Sequence, residues 1–341
     1  MDRRDGVKQM EWTTGRAIAS GLFAVLTLSA GWQFVPNLPQ VNVHDSDSAA
    51  VATRQTSIFL PAVERADEQE AADDDFEPIF ENWDKPDLAL LITGRQHGYI
   101  EPCGCSGLDR AKGGLMRRHA LINDLTSRGW SVVKLDLGDQ VRRSGPQSLI
   151  KLQSTYESLN EVMEYDAIGM GAGELRIDSF EMLQLLMNSK RDGEVSPFVS
   201  ANASVYEDPS ISPYLVIERN GRRIGVTSVV STRHFAGEGD LMAPERDTKI
   251  QNPDDALTKV MPTLLAKKCD ALLLLAFVSE RESQELAQKF PQFDFIVNEG
   301  VEGEPVDFLE PIQVGNRTVN LMQMGYKSMF AGVIGIYADP S

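Results

Sequence analysis

From about Leu88 onward the sequence predicts an α/β layered domain, and three observations carry that expectation. Short apolar runs alternate with amphipathic helical stretches. The runs are of strand length and are bounded by Gly, Asn, Asp or Ser. Asn220-Gly221 and Gly315-Asn316 fall between alternating strand-like segments, where hairpin turns belong. Such alternation layers helices on sheets and leaves functional loops at strand ends.

In order, "DLALLIT" (87–93) reads as a buried strand, "GGLMRRHALINDLTSRG" (113–129) as an amphipathic helix with glycine at its end, and "SVVKLDLGD" (131–139) as a second strand. Together they make a β-α-β unit. A helix "SLIKLQSTYESLNEVMEY" (148–165), a strand "DAIGM" (166–170) and a helix "SFEMLQLLMNSK" (179–190) follow. After "PFVSANA" come the hairpin segments 214–230 and 312–337, with helix 253–268, strand "DALLLLAFV", helix 280–290 and strand "FDFIVNEG" between them. There is no internal repeat.

Residues 1–36 and 37–86 have a different texture. The uncharged run "AIASGLFAVLTLSAGWQFV" (17–35) has about the length of a bilayer-spanning helix, roughly 20 residues. Arg3, Arg4, Lys8 and Arg16 precede it and acidic residues follow, so the positive-inside rule places the remainder outside the cytoplasm, on the periplasmic side. The expectation is a single transmembrane anchor; a cleaved signal peptide is the alternative, although Leu28 stands where a cleavage site wants a small residue. Residues 37–86 are rich in Asp, Glu, Ala and Ser and are expected to form a disordered acidic linker, with the folded domain spanning 87–341. The net charge of −17 excludes sequence-independent nucleic-acid binding, which relies on Lys and Arg neutralising phosphates.

The motifs at the strand ends carry a family resemblance. "ITGRQHGYIE", "GGLMRRHALI", "LDLGDQ", "YDAIGMGAGEL", "FVSANA", "DALLLLAFV" through "FPQFDFIVNEG", and "LMQMGYKSMFAGVIGI" follow one another as in the calcineurin-like metallophosphoesterases, specifically the secreted 5'-nucleotidase branch. The resemblance implies a four-layer α-β-β-α sandwich of the metallo-dependent phosphatase type, with two metals activating water for attack on a phosphate ester. It covers residues 88–337 and not the base-binding domain of those nucleotidases, so it implies no nucleoside specificity.

Residue by residue, the implied ligand set is incomplete. Arg95 stands where the first motif has Asp, while His97 keeps the histidine. Asp139 keeps the aspartate that would bridge the metals. Gly171-Ala172-Gly173-Glu174 replaces Gly-Asn-His followed by an acid, so the Asn ligand and the catalytic His are missing. Phe277 replaces a later histidine, and Asn298-Glu299-Gly300-Val301-Glu302 replaces Gly-Gly-His-any-His. His97 and Asp139 remain as candidate metal ligands, enough for at most one divalent ion and too few for a two-metal centre. With Glu174 they are the remnant catalytic positions, and Arg95 is expected to pair with Asp139 in the vacated site.

Of three cysteines, Cys103 and Cys105 stand in "EPCGCSG", which with the following "GGLMRR" resembles a recurrent variant of secreted nucleotidase-like proteins. A structural clip, a labile disulfide and a soft-metal site are all consistent with that spacing. Cys269 reads as a small core residue, His119 as a surface residue, and His234 as a loop histidine without a ligand-spaced partner. Asn202 matches a position near the family's site and is also an ordinary turn residue. Three functions follow from different classes. The first is a membrane-tethered extracytoplasmic binding or assembly module, with a protein partner, acting through Arg95, Asn202, Cys103 and Cys105. The second is a phosphoester hydrolase with an altered metal site, and the third a thiol-redox or metal-handling protein.

Overall fold

The computed structural model describes residues 23–27, 80, 83–102, 112–189, 196–238 and 247–337. Cys103 and Cys105 lie outside them. The chain divides into two compact units, Met1–Ala30 with Asp84–Ser341, and Gly31–Trp83. All the secondary structure below belongs to the first.

In chain order the elements are β1 (Phe23–Thr27), β2 (Leu88–Thr93), α1 (Leu115–Ser127), β3 (Val132–Asp136), α2 (Pro146–Glu157), β4 (Ala167–Ile168), α3 (Ser179–Asn188), β5 (Ala203–Val205), β6 (Leu215–Arg219) and β7 (Arg222–Val230). They continue with β8 (Thr248–Ile250), α4 (Pro253–Ala266), β9 (Ala271–Phe277), α5 (Glu280–Lys289), β10 (Phe295–Asn298), β11 (Glu310–Val314), β12 (Arg317–Gln323) and β13 (Phe330–Ile336). One sheet has the order β1-β13-β2-β3-β4 and the other β11-β12-β10-β9-β7-β6, with β5 and β8 forming a separate pair. In the first, β2, β3 and β4 run parallel, with Thr93 opposite Asp136 and Asp136 opposite Ile168. In the second, β7, β9, β10 and β12 run parallel and the hairpin strands β6 and β11 flank them antiparallel. Every residue of β2 and of β9 is buried, as strands covered on both faces require.

The helices of the second sheet are started by ordinary local signals. The Asn252 side chain accepts from the backbone N–H of Asp254 and Asp255 ahead of α4. Ser279 and Glu282 form a reciprocal capping box at α5. Both helices bury an apolar stripe on the sheet, where Leu257, Leu264, Leu274, Leu286 and Ile296 share one core with Cys269, as expected for that cysteine.

Two elements differ from their sequence-based expectation. The helix predicted over 148–165 is α-helical only to Glu157; Ser158–Val162 is a π turn, closed by Met163 N–H donating to Ser158 O at 2.9 Å. Within the predicted membrane span, residues 23–27 form β1, antiparallel to β13 with Phe23 opposite Ile334. Among the described residues no helix is long and apolar enough to cross a membrane, and the rest of 17–35 lies outside them. A short apolar run satisfies its backbone as well on a sheet edge as in a helix, which is why periodicity does not separate the two.

Because β2, β3 and β4 are parallel, their C-terminal ends deliver the loops of Arg95 and His97, of Asp139, and of Gly171–Glu174 to one edge.

Candidate functional site

Two of these loops are stitched by backbone bonds: Arg95 N–H to Gly138 O at 2.7 Å, His97 N–H to Asp139 O at 3.2 Å and Gly98 N–H to Gln140 O at 2.6 Å. Arg95, His97 and Asp139 all adopt left-handed backbone conformations, with φ of 51°, 53° and 63°. Such values are uncommon for residues with a side chain, and they persist only where the surroundings enforce them. Behind the loops lies the fully buried Arg118. Its guanidinium donates to Asp136 Oδ2 at 3.2 Å, to Gln96 Oε1 at 2.7 Å and to Ser328 Oγ, while Thr93 Oγ1 and Gly138 N–H also bind the Asp136 carboxylate.

His97 and Asp139 are brought together: His97 Nε2 lies 2.7 Å from Asp139 Oδ2. The other oxygen, Oδ1, accepts the Gly173 N–H at 2.9 Å. Glycine at 171 and 173 makes that approach possible. A Cβ added at Gly171 would lie 2.3 Å from Asp139 N, and one at Gly173 would lie 1.6 Å from Val141 O. Gly173 occupies the position where the resemblance implies a catalytic histidine, and this backbone leaves no room for one.

Glu174 is buried completely; its Oε1 accepts the Gln140 N–H at 2.6 Å, and among the described residues its Oε2 has no partner. Burial, and secondarily the nearby Asp139 charge, push its pKa up to about 8, so it holds a proton at neutral pH. It braces the Asp139 loop from below.

Arg95 is 6% exposed, and Nη1 donates to Glu299 O and to Val301 O at 3.1 Å. The expected side-chain pair with Asp139 is not the one formed, because His97 takes the carboxylate and the β10 loop offers two carbonyls to the guanidinium. Asp139 still acts on Arg95 through space. Burial lowers the Arg95 pKa, while Glu299, Asp139 and Glu302 oppose that shift.

The second sheet contributes what the sequence missed. His234 Nε2 stands 3.4 Å from Glu299 Oε2, and its ring lies 4.9 Å from that of Phe277. Arg176 fixes this loop, donating to His234 O at 2.6 Å and pairing with Glu238 at 2.8 Å. The signal for His234 was invisible because Glu299 is far away in sequence and neither residue has a partner at ligand spacing. Asn202 is buried and fully occupied: its amide donates to Val230 O at 2.8 Å and Gln251 O at 2.9 Å, and its Oδ1 accepts from Val230 N at 2.9 Å. Asn202 therefore clamps β5 to the end of β7. Glu302 is exposed and pairs with Arg142 at 3.2 Å.

These residues do not fit a two-metal centre. Both Asp139 oxygens and the His97 Nε2 are bonded to one another or to backbone, the Asn202 amide is committed elsewhere, and a guanidinium lies at the heart of the cluster. Among the described residues no group of three or more His, Cys, Asp or Glu is placed to hold a metal ion.

Two mixed sheets between helices, with these loops at the strand ends, define the fold shared by solved 5'-nucleotidase and calcineurin-like phosphoesterase structures. In sequence the chain is 25% identical over 221 residues to the snake venom 5'-nucleotidase of Crotalus adamanteus, covering 62% of this chain and 36% of that enzyme. The crystal structure of a 5'-nucleotidase precursor from Thermus thermophilus superposes with a TM-score of 0.59 and 20% identity, covering 72% of this chain and 50% of that one. For the calcineurin-like phosphoesterase YfkN of Bacillus subtilis the TM-score is 0.51 and the identity 18%, covering 72% of this chain and 83% of that one. The chain spans half or less of the length of the two nucleotidases. No protein-family profile matches it.

Proposed function

We propose that the chain is a membrane-tethered, extracytoplasmic protein of nucleotidase-like fold that works as a binding or assembly module for a protein partner, without two-metal phosphoester hydrolysis. The observation that carries this reading is the occupied state of Asp139. Its two oxygens are bonded to His97 and to the Gly173 N–H, and Gly173 leaves no space for a catalytic imidazole. Arg95 adds an electrostatic bar: a divalent ion about 4 Å from a guanidinium is opposed by about 8 kcal/mol at an effective dielectric near 20.

The tether rests on the charge asymmetry around residues 17–35, with cations before and acids after, and it requires residues 23–27 to exchange their pairing with β13 for a membrane helix. Alkaline carbonate extraction of membranes from cells expressing the full chain should leave it in the pellet. Its release would remove the anchor and leave the binding reading standing.

Hydrolysis is tested with adenosine monophosphate and a chromogenic phosphodiester in the presence of manganese or zinc. Wild type and Asp139→Ala should both turn over at the background rate. Turnover that disappears in Asp139→Ala would instead establish a hydrolase with an altered metal site.

A further inference from the structure

A cavity of about 460 Å³ opens beside His97, between the loop after β3, the start of α2 and the loop before β13. Arg142, Arg143, Lys151 and Lys327 line it, and among the described residues no carboxylate does. On a chain of net charge −17 that concentration of cations runs against the average, and a concave wall focuses their field.

The groups are arranged to receive charge. Among the described residues, Arg143 and Lys151 have no anionic partner. Arg142 makes an exposed pair with Glu302, which contributes little and can be exchanged for a ligand. Lys327 is held over the rings of Tyr99 and Tyr326, with Nζ 5.2 and 5.0 Å from their centroids, which fixes its position on the wall. Gln147 and Ser148, in the first turn of α2, complete the wall, and no side chain caps that helix. Its free N–H groups favour negative charge. Gly98 lets the Lys151 stem lie close, since a Cβ there would meet Lys151 Cδ at 3.3 Å. Finally, the side chain of His97, which lines the cavity, is 5% exposed, and among the described residues its Nδ1 has no partner.

From this we infer a binding site for a small multivalent anion, one carrying several phosphoryl or carboxylate groups. The cations come from separate segments around a volume far larger than one tetrahedral oxyanion, so a ligand with spaced charges satisfies them where a single ion does not. The inference goes beyond the binding reading above by adding a small-molecule ligand to the protein partner proposed there, and the site lies beside the remnant centre rather than on Asp139.

The test is calorimetric titration of the full chain, in EDTA and low salt, with sodium tripolyphosphate and separately with citrate. At least one should bind with one-to-one stoichiometry; the tighter of the two identifies the phosphoryl or the carboxylate source. In the Arg143→Ala/Lys151→Ala double variant the dissociation constant should rise at least tenfold. Raising sodium chloride should weaken the wild-type complex steeply. Neither residue is buried, so the variant should keep its unfolding temperature, and this is measured alongside. Absence of binding by both anions, or undiminished binding by the double variant, would overturn the site. EDTA makes this outcome independent of metal uptake, so Asp139-dependent hydrolysis would refute the preceding reading without deciding this one.

Discussion

The two sheets hold their functional edges in opposite ways. On the second, α4 and α5 are started by Asn252 and by the Ser279–Glu282 box, and a continuous apolar core does the rest. On the first, the loops after β2, β3 and β4 carry three left-handed non-glycine residues, the buried acids Asp139 and Glu174, the buried guanidinium of Arg95 backed by Arg118 of α1, and glycines in van der Waals conflict with any side chain. One region is built from local propensity and transferable burial. The other is built from long-range polar bonds that each need several partners in place, and its carboxylate is already bonded within the protein. A centre closed in that way has little left to offer a metal.

The comparison can be broken most severely at Gly173. Gly173→Ala forces a Cβ against the Val141 carbonyl, and thermal unfolding should show a loss of more than about 4 kcal/mol. By contrast, at Gly303 an added Cβ meets nothing nearer than Val301 Cγ2 at 3.8 Å, so Gly303→Ala should change stability by about 1 kcal/mol or less. Equal effects at the two positions would erase the distinction.

Next in size is Leu274→Ala in the second core, where the side chain is fully buried. Denaturant unfolding should register about 2–5 kcal/mol, the ordinary cost of a core cavity.

Glu174 sharpens the contrast through pH. Its pKa of about 8 in the fold exceeds the ordinary 4.5, so above pH 4.5 the folded state keeps a proton that the unfolded state has released. Stability should therefore fall as pH rises from about 4.5 to 8, by at most about 1.4 kcal/mol per pH unit from this group. Glu174→Gln, which mimics the protonated acid, should flatten that decline in stability measured across the window. An unchanged profile would show that Glu174 is not the buried acid responsible.

The smallest effect belongs to Ser279→Ala, which removes the capping box of α5. It should cost about 1 kcal/mol of stability and leave anion binding untouched.

Legibility in the sequence follows the same division. The hairpin at Asn220-Gly221 was readable because its left-handed φ values of 49° and 74° demand those residue types locally. The buried strand β9 was readable from its unbroken apolar run. Asp139 and His97 were readable as neighbours through the resemblance alone. Arg118 was not, because on a helix it looks like any solvated cation, and its partners Asp136, Gln96 and Ser328 come from three other segments. The preference of Arg95 for two backbone carbonyls over Asp139 was hidden for the same reason: sequence lists side chains and conceals where main-chain acceptors converge.

Metal content per chain, measured by mass spectrometry on the full chain after exposure to manganese, zinc and iron and removal of excess ions, tests the central claim most directly. The closed Asp139 site predicts at most one retained ion, unaffected by Asp139→Ala. Two ions per chain that are lost in Asp139→Ala would show that the centre opens to bind metals, and would contradict the binding-module reading.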